Sequence, residues 1–180
     1  PWLDAIREAG ICFEIPFDAP PRYVGLAQLL TDAGGTYCGS RFGHPVDSFD
    51  WQIAIEAGFK VAAVLRDAGY FGPLGIDAMQ YRDRDGIPRI RPLQDLNARL
   101  TMGRLAIEWL NRLDAHECGS WIHLKNRSRP RERPDSRSDW PSDARIVRQS
   151  SGNATDLAWY CIAASSQESR LAAERIVANL

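Results

Sequence analysis

The sequence predicts an α+β domain in which an antiparallel sheet packs against two main helices. Three observations carry that reading. Strand-like runs follow one another through turn signatures, as hairpins do. The stretch from Asp47 to Gly69 repeats its apolar residues at helical spacing, and the chain closes on a second clear helical pattern after Ser165.

A chain of 180 residues fits a single domain, taken here as residues 1–180. Its net charge of −1 excludes a polyanion or an anionic membrane as a partner for the chain as a whole. No apolar run approaches the roughly 18 residues needed to span a bilayer, and no signal peptide is recognisable. Cys12, Cys38, Cys118 and Cys161 lie far apart without paired spacing, which implies reduced thiols and a cytoplasmic location. The chain opens on Pro1 rather than Met, as expected of a piece of something longer.

Taken in order, "ICFEIPF" (11–17), "RYVGLAQLLT" (22–31) and "TYCGSRF" (36–42) read as strands, and "DAGG" between the last two reads as their turn. A helix follows, capped by Asp47 or Ser48, presenting Ile53, Ala57, Val61, Val64 and Ala68, and stopped at Gly69. "YFGPLGIDAMQY" is the next strand, and Asp85-Gly86 turns the chain into a return strand, "IPRIRPLQDLNAR". Along that strand Ile90, Leu96 and Ala98 share one side, and Arg89, Arg91, Asp95, Asn97 and Arg99 the other. Leu93 breaks the alternation, and Pro92 marks an edge strand or a bulge. A second helix, with Thr101 as its cap, carries Leu105, Ala106, Trp109, Leu110 and Leu113. Residues 125–143 are rich in charge, Pro and Ser and read as a mobile, unpacked loop. Within 125–139 six basic residues meet three acidic ones with no interleaved aromatic, so a nucleic-acid contact is not expected. "ARIVRQ" and "AWYCIAA" then form strands, and a helix begun by Ser165 or Ser166 ends the chain, making 144–180 a strand–strand–helix unit.

One constellation carries chemistry. Alternation puts Asp95, Asn97 and Arg99 on one strand face, and Asp77 and Met79 on one face of the strand before. If those strands pair through the Asp85-Gly86 turn, Asp77 approaches Asp95 and Asn97. Two carboxylates and an amide oxygen suit Mg²⁺, which takes one or two carboxylates together with substrate phosphates. A guanidinium two positions on suits a developing phosphoryl charge. Taken alone, Asp95, Asn97 and Arg99 are equally the wet face of a half-buried strand. His116, Glu117, Cys118 and His123, in contrast, fit no standard zinc spacing.

"GPLGIDAM", a hairpin and "LQDLNAR" leading into a helix resemble the end of the nucleotide-binding fold of ATP-grasp ligases, and the likeness covers roughly residues 1–113. The resemblance implies that Asp77, Asp95 and Asn97 hold magnesium and that Arg99 contacts the transferring phosphoryl group. Met79 would lie beneath the adenine. Leu3 belongs to an opening "PWL" that is similar to the segment after the family's hinge acid, and it would offer its backbone to the base. The resemblance further implies an ATP- and Mg²⁺-dependent ligase, here its carboxy-terminal part, which activates a carboxylate substrate as an acyl-phosphate and joins it to an amine or similar nucleophile. The partners would be those small molecules and the N-terminal lobe that this chain does not contain. Asp95 stands where the family usually has Glu, which equally suits a catalytically inactive remnant serving as a binding or assembly module.

Overall fold

The computed structural model describes residues 3–32, 34–43, 51–125, 133–150 and 157–179. They form eight strands and three α-helices in the order β1 (Asp4–Ile15), β2 (Arg22–Thr31), β3 (Tyr37–Gly43), α1 (Gln52–Asp67), β4 (Gly72–Arg82), β5 (Pro88–Asn97), α2 (Met102–Glu108), β6 (Cys118–Lys125), β7 (Ala144–Gln149), β8 (Leu157–Ala164) and α3 (Gln167–Ala178). The α+β expectation holds. Every strand pair described below is antiparallel. The chain divides into two compact units, one running to Leu29 and resuming with α1 through Ile107, the other taking Leu30 to Gly43 and Glu108 onward. No described helix is long and apolar enough to cross a membrane.

In the first unit the strand order is β5-β4-β1-β2. Odd residues of β1 (Ala9, Ile11, Phe13, Ile15) and even residues of β4 (Leu74, Ile76, Ala78) point to one face and form the core with Trp51, Ala54 and Ala62 of the α1 region. This face of the helix differs from the expected one. Ile53 and Val64 are 58% and 68% exposed, and the inward positions are Ala54, Gly58 and Ala62. The reason is distance: a Cβ on Gly58 would lie 2.4 Å from the Phe13 ring, so only small residues let α1 reach the sheet. Gly58→Ala therefore lowers stability by about 1–3 kcal/mol through overpacking, although Ala is the better helix former by about 1 kcal/mol. Denaturant unfolding reads the sign directly, and a more stable variant would contradict the close contact. The expected caps Asp47 and Ser48 lie outside the described residues; Trp51 occupies the N-cap, without a side-chain cap.

β1 begins earlier than its apolar run, at Asp4, and ends at Ile15, where Pro16 offers no amide to continue the ladder. β5 is an edge strand, as Pro92 implied. Of the side expected to be sealed, Ile90 is half-buried against the core, whereas Leu96 is 44% exposed and Ala98 is exposed. An edge strand has a neighbour on one flank only.

The second unit orders its strands β3-β6-β8-β7. Ile122, Leu124, Ala158, Tyr160 and Ile162 pack on Ala173 and Val177 of α3, whose N-terminus is capped by Ser166 Oγ accepting from Ser169 N at 3.1 Å. β6, which was not expected, is a central strand of this unit. An ionic cluster is buried beside it. Glu174 accepts from Arg170 Nη1 at 2.7 Å and from Arg41 Nη2 at 2.7 Å, and Ser120 Oγ donates to the same carboxylate. Residues 126–132 of the Arg-rich segment lie outside the described residues. From Arg133 to Trp140 the segment is folded, contrary to the unpacked loop expected. Pro134 is fully buried, Asp135 and Asp139 pair with Arg133 and Arg137, and the Trp140 indole donates to Ala144 O at 2.8 Å. Within the described part the two acids each meet an arginine two residues away.

The four cysteines are free, three of them buried, in line with reduced thiols.

Candidate functional site

The decisive register is that of β4 and β5. Asp77 lies directly opposite Asp95, and Gly75 opposite Asn97. Directly paired residues project to the same sheet face with Cβ atoms about 4.5–5.5 Å apart, so both carboxylates rise side by side. Further along β4, Met79 pairs with Arg91, so Pro92, Leu93 and Gln94 together face the single residue Ala78. This bulge inserts two residues, an even number, and the strand regains its facing: Arg91 and Asp95 stay on the side of Asp77 and Met79. Leu93, which disturbs the alternation in the sequence, is the residue absorbed by the bulge.

The opposite partner of Asp77, on β1, is Gly10, where a Cβ would stand 3.8 Å from Asp77 Oδ1. The Cβ would meet Leu29 Cδ2 sooner, at 3.3 Å, so the missing side chain makes room for Leu29 beside the carboxylate. Glu8, the next β1 residue on this face, pairs with Met79 and accepts from Gln94 Nε2 at 3.4 Å. Its acid was not picked out from the sequence; the signal was the alternation Glu8, Gly10, Cys12 along β1.

On β5 and the bend that follows it the polar residues are linked in series. Asp95 Oδ1 accepts from Leu96 N at 2.9 Å, Asn97 Nδ2 donates to Asp95 Oδ2 at 3.2 Å, and Arg99 Nη2 donates to Asn97 Oδ1 at 2.7 Å. The side chains of Asp95, Asn97 and Arg99 thus orient one another. Burial and the neighbouring charges of Asp95 and Glu8 push the Asp77 carboxyl up to about 6, opposed by the Arg99 guanidinium. Since its folded pKa is raised, Asp77 destabilises the fold as pH climbs from about 4 through 6 and has no such effect below. Asp77→Asn is accordingly expected to be more stable than the wild type above pH 6, by about 1 kcal/mol once solvent screening is allowed for, and equally stable at pH 4. Unfolding curves across that range in EDTA test this, and a difference that persists at pH 4 would contradict it.

α2 sits on the same face of this unit. Thr101 caps it, its Oγ1 accepting from Arg104 N at 3.3 Å, and the buried positions are Gly103, Ala106 and Ile107 rather than Leu105 and Leu110. A Cβ on Gly75 would lie 2.4 Å from Thr101 Cγ2, so this glycine serves the helix seat, not a ligand's approach. Glu14 also serves that seat, bound to Arg104 at 2.9 Å. Gln28 is half-buried on β2. Met79 is buried on the acidic face, and Leu3 immediately precedes β1, half-buried. Among the described residues no three His, Cys, Asp or Glu side chains form a metal cluster. The donor set is two carboxylates and an amide, and Cys118 and His123 are drawn into other contacts: Cys118 Sγ donates to Ala164 O, and the His123 ring meets Tyr37 and Trp121.

No family model matches the chain, and no curated protein matches it. Solved structures do. N5-carboxyaminoimidazole ribonucleotide synthetase from Thermus thermophilus superposes with a TM-score of 0.61 at 12% identity, over 99% of this chain and 52% of that one. The phosphoribosylaminoimidazole carboxylase ATPase subunit from Aquifex aeolicus gives 0.59 at 11% identity, over 99% of this chain and 60% of that one. The chain has a partial ATP-grasp fold. The biotin carboxylase domain of Hydrogenobacter thermophilus 2-oxoglutarate carboxylase, solved with MgADP, ADP and bicarbonate, gives 0.54 at 10% identity, over 88% of this chain and 41% of that one. This chain thus spans about half the length of the ATP-grasp structures it matches.

Proposed function

We propose that this chain is the carboxy-terminal part of an ATP- and Mg²⁺-dependent ligase that activates a carboxylate substrate as an acyl-phosphate and joins it to an amine or similar nucleophile. The observation that carries the proposal is the direct pairing of Asp77 with Asp95 on one sheet face, continued by Asn97 and Arg99. Two like charges held side by side are a poor arrangement unless a cation sits between them. Asp77, Asp95 and Asn97 are the residues to hold magnesium, a hard cation that they and nucleotide phosphates satisfy with oxygen. Its chemistry there is charge neutralisation on the phosphates.

The chain's own contributions follow from the same face. Arg99, held by Asn97 at 2.7 Å and by Leu100 O at 3.2 Å, is the guanidinium to contact a transferring phosphoryl group. Met79 supplies a buried apolar surface for the adenine ring, and Leu3 a backbone edge at the start of β1. Small-molecule carboxylate and amine substrates and an N-terminal lobe complete the proposed assembly. Several of the structures it resembles are complexes with ADP, ATP or MgADP, which supports the same nucleotide and metal here.

Asp95, one methylene shorter than the glutamate of the family pattern, favours a second reading: an inactive remnant that binds or assembles. Titration of the full-length protein with ATP, with and without Mg²⁺, decides between the two. A ligase shows Mg²⁺-dependent nucleotide affinity and turnover, and a remnant shows neither.

A further inference from the structure

The second unit contains a cavity of about 370 Å³ between the folded part of the Arg-rich segment and the last turns of α3, lined by Arg137, Asp139, Ala172, Arg175, Ile176 and Asn179. We propose that it is a binding site for a small oxyanion, a carboxylate or a phosphate, attached to a short apolar body. The inference stands apart from the ligase reading, because no residue of the Asp77–Asp95 face takes part in it.

Four features of the lining point to that chemistry. Two guanidiniums oppose one carboxylate, so the walls carry net positive charge. Asp139 grips Arg137 through Nε at 2.9 Å and Nη2 at 3.2 Å, fixing the plane of the guanidinium before any ligand arrives. Arg175 has no side-chain partner among the described residues, and a fork of donors facing a concavity is the group that planar oxyanions bind in bidentate fashion. The Asn179 amide adds a donor at the helix end. Beside these, Ala172 and Ile176 form an apolar strip, which would cover a few carbons. The volume lies within the range of about 300–1,000 Å³ typical of small-molecule sites.

The Arg-rich segment thereby acquires a role that its composition alone did not suggest. Its Arg-x-Asp pairs fold it, and one of them, Arg137 with Asp139, forms a wall of the cavity. Attraction of a mobile polyanion is not required of it.

Isothermal titration of the full chain with inorganic phosphate and, separately, with succinate tests the proposal. Both are measured in EDTA without nucleotide, with sodium chloride holding the ionic strength constant, so that the outcome is independent of Mg²⁺-ATP chemistry. Saturable one-to-one binding of phosphate assigns a phosphorylated ligand, of succinate a carboxylate, and of both an oxyanion site without preference; each supports the proposal. Arg175→Gln, on an exposed helix position that tolerates the change, is expected to weaken the affinity at least tenfold with unchanged helicity. Ala172→Phe, which fills the cavity from its apolar side, is expected to do the same. Non-saturable heats for both anions, or equal affinity in the wild type and both variants, would overturn it.

Discussion

Replacing Asp95 with Ala in the full-length protein is expected to reduce ATP turnover by about 10²–10³-fold, the scale of losing one preorganised charged group at a phosphoryl-transfer site. Two effects combine. The carboxylate opposite Asp77 disappears, which removes half of the charged donor set, and Asn97 loses the oxygen that its Nδ2 meets at 3.2 Å. Arg99 in turn leans on Asn97 at 2.7 Å and otherwise only donates to Leu100 O at 3.2 Å, so its orientation loosens as well. Asp95→Glu, which keeps the charge, is expected to retain activity. Steady-state turnover of the two variants separates loss of charge from a change of reach, and an unaltered rate in Asp95→Ala would remove the proposed metal role.

The largest expected effect on stability lies in the other unit. Glu174→Ala should cost about 3–5 kcal/mol, because Arg170, with 2% of its side chain exposed, is left as an uncompensated buried cation. Arg41, with 23% of its side chain exposed, has a route to water and suffers less. The buried ion pair itself is not what stabilises the fold; its half-removal is what destabilises it. A double variant, Arg170→Met with Glu174→Leu, is therefore expected to lie closer to the wild type than Glu174→Ala does. Denaturant midpoints for the three proteins test the ordering, and a double variant weaker than the single would refute it.

Much of this architecture was legible in the residues. β2 and β7 fall where the apolar runs place them, the Asp85-Gly86 turn joins β4 to β5, and Thr101 and Ser166 cap their helices. The common facing of Asp95 and Asn97 was readable from alternation alone, and the facing of Arg91 with Asp95 survives the bulge because two residues were inserted and not one. What escaped depended on neighbours that a sequence does not show. α1 was assigned its most apolar stripe, whereas Phe13 demands the smallest one. β6 was hidden because "CGSWIHLK" mixes small, aromatic and polar residues, yet its alternate positions Ile122 and Leu124 reach the core. Glu8 gains importance only through the pairing of β1 with β4, a contact between distant segments. Composition of the Arg-rich segment does not reveal that Asp135 and Asp139 each find a guanidinium two residues away.

Paramagnetic broadening by Mn²⁺, followed residue by residue in the amide spectrum of this chain, tests the central geometry most directly. Signals of Asp77, Asp95 and Asn97 should fade first, at Mn²⁺ concentrations that leave the second unit sharp, and Asp77→Asn should abolish the effect. Broadening that begins elsewhere, or that persists undiminished in the variant, would mean that these facing carboxylates do not share a cation.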